Sequence, residues 1–197
     1  MPEEQTKSRG EPILVLCHTF FNDAFRNYPV FGVDNAVDSY LNWKSATFVA
    51  RFIIERQAEL PEEQYVAITS QKIFDKFVEK FELEKPVARR WETLEILKNM
   101  ILRIENESVN KLNEDEGIIA MADILFSRSR YNPVILVTNT PKKITELTIK
   151  FYEEPIKPKR VKESDIPFLI LNTAQAESLL RYIFNDLCKL VDERMKK

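Results

Sequence analysis

The chain has 197 residues, of which 44% are hydrophobic and 30% are charged, and its formal net charge is -2. This composition is typical of one globular domain, and it excludes bulk disorder and a global positive field that would attract nucleic acid. With 3 glycines, 1 histidine and 2 cysteines, the sequence contains no Walker A loop, dinucleotide-binding glycine turn, disulfide framework or structural zinc motif.

The first residues are polar and acidic, and no apolar stretch reaches the roughly 18 residues of a membrane span. We therefore predict a cytoplasmic protein with a flexible N-terminal arm over residues 1–12 and a single domain over residues 13–197. The abundance of Lys and Glu and the scarcity of Gly favour an archaeal or thermophilic source.

Apolar runs at residues 13–17, 65–69, 134–138 and 168–171 predict strands. None of them alternates with polar residues, which indicates burial on both faces. The segments between them have helical apolar spacing and predict a short helix over 71–83, a long one over 87–112 and another after the last strand. Because helical crossovers join parallel strands, we predict an α/β fold in three layers, with a mostly parallel central sheet of about four strands and helices on both faces.

Polar residues follow the predicted strands, and ligands of open parallel sheets bind at the carboxyl ends of the strands. We therefore predict a cleft formed by Cys17, His18, Thr69, Thr138, Asn139 and Thr140. Capping and turn formation are the alternative roles of such residues. A nucleophilic dyad of Cys17 and His18 is not expected, because successive strand side chains point to opposite faces. We expect Cys17 to pack as a small apolar residue and His18 to hydrogen-bond in the loop.

Four segments carry a resemblance to a known family. They are EGIIAMA at 116–122, VILVTNT at 134–140, FLILNTAQAE at 168–177, and AITS at 67–70 running into IFD at 73–75. All four resemble parts of the PIN domain. Residues 116–122 resemble its acidic helix, and residues 134–140 resemble its strand that ends in Thr-Asn-Asp. Residues 168–177 resemble its last strand with the following helix, and residues 67–75 resemble its second strand with the following helix. Active PIN domains are Mg²⁺- or Mn²⁺-dependent ribonucleases. The resemblance implies a PIN-like α/β fold and a role connected with RNA.

The active site implied by this resemblance is degenerate. Active members have Asp at the end of the first strand, where this sequence has Cys17, and another Asp after Thr-Asn, where it has Thr140. The resemblance leaves Asp75 and Glu116 as catalytic and metal-binding candidates. Because Mg²⁺ prefers carboxylate oxygens, we expect metal binding to be weak or absent and nuclease activity to be impaired.

Other carboxylates offer an alternative metal site. Asp23 and Asp34 follow the first strand, and Asp115 adjoins Glu116. Helix capping accounts for Asp34, and the favourable position of an acid in the first helical turn accounts for Asp115. We prefer these structural roles.

A basic stretch surrounds the predicted strand at 134–138. Nine Lys and Arg residues and three Glu residues lie between positions 128 and 162, which gives a local charge of 9 - 3 = +6. We predict that RNA phosphates bind Lys142, Lys143, Lys157, Lys159 and Arg160. A solvated face without a ligand is the alternative.

These observations predict a catalytically impaired PIN-like protein that binds RNA or serves as a subunit of an RNA-processing assembly. We expect no cofactor for the impaired protein. If the protein is an active nuclease, we expect Mg²⁺ or Mn²⁺. One alternative is an active metal-dependent ribonuclease with rearranged acidic ligands. Another is a protein-interaction adaptor or homo-oligomer that uses the helix predicted over 87–112, whose apolar spacing is nearly heptad. No membrane partner is expected.

Overall fold

The structure, a computed structural model, describes residues 11–25, 36–84, 86, 88–128, 132–153 and 161–196. Within these residues the strands are β1 (Ile13–Leu16), β2 (Ala67–Ser70), β3 (Leu102–Ile104), β4 (Val134–Val137) and β5 (Leu169–Leu171). The helices are α1 (His18–Phe25), α2 (Ala36–Gln57), α3 (Gln71–Leu83), α4 (Ala88–Met100), α5 (Glu107–Asn110), α6 (Glu114–Arg128), α7 (Pro141–Glu153), α8 (Thr173–Ile183) and α9 (Asn185–Met195). A short 3₁₀ helix covers Glu163–Asp165.

The strands form one parallel sheet in the order β3-β2-β1-β4-β5. The central strand β1 places Leu14 beside Ala67 of β2 on one side and beside Ile135 of β4 on the other. Helices connect the strands, as parallel pairing requires. The predicted α/β class and parallel sheet are confirmed, and the helix predicted over 71–83 is confirmed as α3.

The fifth strand corrects the prediction of one long helix over 87–112. Helix α4 ends at Met100, and β3 then pairs with β2, with Leu102 beside Ile68 and Ile104 beside Ser70. The apolar residues Leu102 and Ile104 alternate with Arg103, which is the period of a strand. The continuous helix on which the adaptor hypothesis depended is therefore replaced by two helices and an edge strand.

Burial decreases from the centre of the sheet to its edges. All four residues of β4 are buried, whereas Leu169 of β5 is 49% exposed. The prediction that the last strand is buried on both faces is therefore wrong. Strand β5 pairs with β4 alone and forms an edge of the sheet, where less of the chain covers it.

Aromatic side chains hold α1 against α3. Phe21 packs on Phe77 with ring centroids 5.3 Å apart, and Phe25 lies 5.7 Å from the same ring. Phe81 in turn stacks on Trp91 of α4, with the rings 5.8 Å apart. Burial of such rings contributes about 3–5 kcal/mol each when measured by truncation to Ala. This packing fixes the position of α1, whose first residue follows the end of β1.

The predicted N-terminal arm lies mostly outside the described residues. Its last two positions are described, and both are engaged: Glu11 accepts hydrogen bonds from Arg56, including one of 3.1 Å from Nε, and Pro12 is buried. These two residues of the predicted arm therefore pack against the described domain.

Helix α2 has 22 residues and includes Lys44, Arg51, Glu55 and Arg56. Among the residues that the structure describes, no helix combines the length and the apolar character needed to cross a membrane.

Candidate functional site

A network of polar side chains lies where β1 and β4 end. The Cys17 Sγ atom is 2.9 Å from Thr19 Oγ1, which is 3.2 Å from Thr138 Oγ1. Thr138 Oγ1 is in turn 3.3 Å from Thr140 Oγ1 and accepts a hydrogen bond from the Thr140 amide at 3.2 Å. Three of the predicted cleft residues are thus brought together, with Thr19 as the link between Cys17 and Thr138.

Asn139 attaches this network to Asp23 of α1. The backbone N–H of Asn139 donates to Thr19 Oγ1 at 3.0 Å, and its side-chain amide donates to Asp23 Oδ2 at 2.9 Å. Asp23 is fully buried. Its carboxylate, one of the alternative metal ligands in the sequence, is therefore used within the fold.

Thr69 is placed differently from the other predicted cleft residues. Its side chain is fully buried and donates a 2.8 Å hydrogen bond to the backbone carbonyl of Leu16. This bond ties the end of β2 to the end of β1. The residue therefore serves the sheet, and its hydroxyl does not take part in the Thr19–Thr138 network.

Cys17 and His18 lie at the junction of β1 and α1, where each shifts the pKa of the other. Strand β1 ends at Leu16 and His18 is the first residue of α1, so the alternation of a strand does not apply to them. Burial favours the neutral thiol, but contacts with His18, Thr138 and Thr19 outweigh it and lower the pKa of Cys17. The Cys17 contact raises the pKa of His18 against the effect of partial burial, and Glu114 and Asp115 raise it further.

An open groove of about 630 Å³ lies beside this network. Its charged lining consists of His18, Lys72, Lys76, Glu114, Asp115 and Lys143. Lys143 Nζ lies 2.6 Å from the Asp115 carboxylate, and Lys76 forms an ion pair with Glu114. The His18 Nδ1 atom is 3.5 Å from the other Glu114 oxygen. These ion pairs raise the pKa values of Lys76 and Lys143.

The first turn of α6 supplies the acidic side of the groove. Asn113 precedes this helix and accepts a 2.9 Å hydrogen bond from the Glu116 amide, as an N-cap residue does. Gly117 lets α6 approach α5, because a Cβ atom at this position would lie 3.3 Å from the Val109 carbonyl oxygen. The cap and the close contact together place Glu114 and Asp115 at the groove.

The two catalytic candidates of the sequence are not brought together there. Asp75 is exposed on α3 and accepts a 2.6 Å hydrogen bond from Gln71. Glu116 lies in the first turn of α6, but the acidic residues that line the groove are its neighbours Glu114 and Asp115. Within the described ranges, no group of three or more His, Cys, Asp or Glu side chains is arranged to hold a metal ion.

Of the predicted RNA-binding residues, Lys142 and Lys143 occupy the first turn of α7, and both are exposed. Lys157, Lys159 and Arg160 lie outside the described residues.

The sequence reasoning missed Lys72 and Lys76, which are separated by one turn on α3 and line the groove. Lys72 also donates to the backbone carbonyl of Asn110 at 2.8 Å. Their spacing of four residues was the available signal.

No family model matches the chain, and no curated protein or solved structure matches it. The resemblance to the PIN domain therefore stays a prediction from sequence, and the roles of individual residues rest on the geometry above.

Proposed function

We propose that the groove at the carboxyl edge of the sheet binds the phosphate backbone of single-stranded RNA and that the protein is a PIN-like, catalytically impaired RNA-binding protein or subunit. The observation that carries this proposal is the ion pairing of the two groove carboxylates, Glu114 with Lys76 and Asp115 with Lys143. A carboxylate that neutralises a lysine is a poorer ligand for Mg²⁺ than one that is free.

Three features support impaired chemistry. Cys17 and Thr140 stand where the resemblance places acidic ligands, and both are connected by hydrogen bonds to neighbouring hydroxyls. Asp23, which would offer a replacement, accepts a hydrogen bond from Asn139. Metal-assisted cleavage of a phosphodiester needs ions that orient water and stabilise the leaving oxygen. This set of side chains offers little to hold such ions.

The cations of the groove support phosphate binding. Lys72, Lys76 and Lys143 line it, and Lys142 adjoins Lys143 in the exposed first turn of α7. An incoming phosphate oxygen and the Asp115 carboxylate then compete for Lys143. The carboxylates thereby limit affinity while keeping the lysines in place.

Fluorescence anisotropy with a labelled oligouridylate tests the proposal across a series of salt concentrations. Lys142→Gln combined with Lys143→Gln should weaken binding and reduce the salt slope by about 0.7 for each lysine that contacts a phosphate. Lys189→Gln is the matched control, because Lys189 is also an exposed lysine paired with a carboxylate, Asp186, but lies on α9. It should bind as the wild type does.

Asp115→Asn should change RNA affinity in the opposite direction. Removal of the negative charge frees Lys143, so RNA affinity should rise, whereas general damage to the fold would lower it. Weaker binding by Asp115→Asn, or equal losses for the Lys142 and Lys143 change and the Lys189 control, would refute the groove as the binding site.

A cleavage assay with the same RNA addresses the alternative of an active ribonuclease. We expect no substantial Mn²⁺-dependent cleavage by the wild type. Robust cleavage that is abolished by Glu116→Ala or Glu114→Gln would establish that alternative. Calorimetric titration with Mn²⁺ gives an independent measure, with weak or absent binding as the expected result.

A further inference from the structure

A second pocket, of about 300 Å³, lies at the opposite end of α1 from the groove. Ala24 and Phe25, the last residues of α1, line it, whereas His18 at the start of the same helix lines the groove. The two cavities share none of the described lining residues. The volume of the second pocket is at the lower end of the range for small-molecule pockets, about 300–1,000 Å³.

The described lining of this pocket contains four guanidinium groups and no carboxylate. They belong to Arg51, Arg89, Arg90 and Arg194. Acidic residues lie near two of these arginines: Glu55 is 2.8 Å from Arg194, and the charge of Glu84 acts on Arg90. The chain as a whole has 29 basic and 31 acidic residues and a formal net charge of -2. Such a concentration of positive charge is therefore a local feature of this pocket.

Arg51 has an electrostatic environment that disfavours its positive charge. Partial burial is the main cause that lowers the pKa of its guanidinium, and the positive charge of Arg89 lowers it further; Glu55 opposes these effects and Arg194 adds to them. Its described hydrogen bond is a long one of 3.4 Å to the neutral Thr93 hydroxyl. Mutually repelling cations in a partly dehydrated pocket become favourable when an anion binds among them.

The remaining wall of the pocket is apolar and aromatic. Phe25, Trp43 and Met195 line it together with the hydroxyl-bearing Thr47 and Thr93. Planar guanidinium groups bind phosphate oxygens with two parallel hydrogen bonds, and indole rings stack on other aromatic rings. The pocket thus offers cations for a phosphate beside an aromatic face for a ring.

We propose that this pocket binds a nucleoside phosphate, with the phosphate held by Arg51, Arg89 and Arg194 and the base packed against Trp43. The site is separate from the groove, so the proposal does not depend on RNA binding there. The shared chemistry of all candidate ligands is a phosphate group, and the aromatic wall selects those that carry a base.

Isothermal titration calorimetry with AMP, inorganic phosphate and adenosine tests both parts of the proposal. AMP should bind more tightly than either fragment, because each fragment uses only one part of the pocket. Arg89→Gln, at an exposed position, should weaken AMP binding by about tenfold or more, as expected for the loss of one charge-assisted hydrogen bond. Arg51→Gln should have at least the same effect.

Arg128→Gln on α6 is the matched control, because it removes the same charge from an exposed arginine outside the pocket. It should leave AMP binding unchanged, and circular dichroism checks that each variant is folded. Absence of AMP binding at low salt, or equal losses for Arg89→Gln and Arg128→Gln, would overturn the proposal. Adenosine that binds as tightly as AMP would overturn the role of the arginines, and phosphate that binds as tightly as AMP would overturn the role of Trp43.

Discussion

Replacing Thr138 by Val tests whether the hydroxyl network at the carboxyl edge holds the site together. Thr138 is fully buried, and its hydroxyl lies within 3.3 Å of the hydroxyls of both Thr19 and Thr140. It also accepts the Thr140 N–H at 3.2 Å. Valine has nearly the same shape, so the change removes these bonds with little effect on packing volume.

The loss of stability expected for Thr138→Val follows from the polar groups that remain without a hydrogen-bond partner. An unsatisfied buried donor costs about 1–3 kcal/mol. Thr140 is exposed, so water can replace part of what its amide loses, whereas Thr19 is only partly accessible. We therefore expect the free energy of unfolding to fall by about 1–2 kcal/mol, near the lower end of that range.

Thr148→Val provides the matched comparison. Thr148 is also fully buried, but its hydroxyl donates a 2.7 Å bond to the Ile144 carbonyl within α7, an oxygen that the helix itself already uses. Its loss should cost less than about 0.5 kcal/mol, since no donor outside the side chain is left unpaired. Urea unfolding of both variants gives the two values. Equal losses, or a larger loss for Thr148→Val, would refute the reasoning.

Two further predictions concern the Cys17–His18 pair. The folded-state pKa of His18 is raised above 6.5, so the stability lost in His18→Gln should be greatest below pH 6.5 and should shrink as the pH rises through that raised pKa. Cys17→Ser should largely remove this pH dependence. Urea unfolding across pH measures the loss of stability, and a loss that grows with pH contradicts the prediction. Thiolate absorbance should rise with pH in two steps, because Cys17 ionises below pH 9.0 and the more weakly acidic Cys188 ionises above it. Thr138→Val should move the ionisation of Cys17 to higher pH. A single ionisation step above pH 9.0 contradicts this prediction.

The sequence predicted the central strands because their signals are local. Val134–Val137 is a continuous apolar run, and the parallel arrangement follows from the helices between such runs. Strand β3 was missed because Leu102 and Ile104 also fit the helical spacing that begins in α4. Three residues are too few to show a period of two against a period of 3.6, so pairing with β2 decides their conformation.

The site was harder to predict than the fold, because it depends on how each helix is rotated. Adjacent side chains on a helix point about 100° apart, so Glu114 and Asp115 line the groove, whereas Glu116, about 200° from Glu114, is not among the lining residues. Lys76 enters the site because α3 packs with Phe77 against α1. The strand alternation assumed for Cys17 and His18 does not apply, because β1 ends at Leu16.

The order of the strands has a consequence for how the chain folds as it is synthesised. Strand β1 forms the centre of the sheet, yet it leaves the ribosome before the other described strands, and its partner β4 follows only after β2, β3 and the described helices α1 to α6 have been made. Until Val134 can pair with Ile13, one side of the apolar strand β1 has no neighbour. Contacts so distant in sequence slow folding and leave apolar surface exposed meanwhile. The nascent chain therefore has to keep the apolar strand β1 from aggregating until β4 has been synthesised.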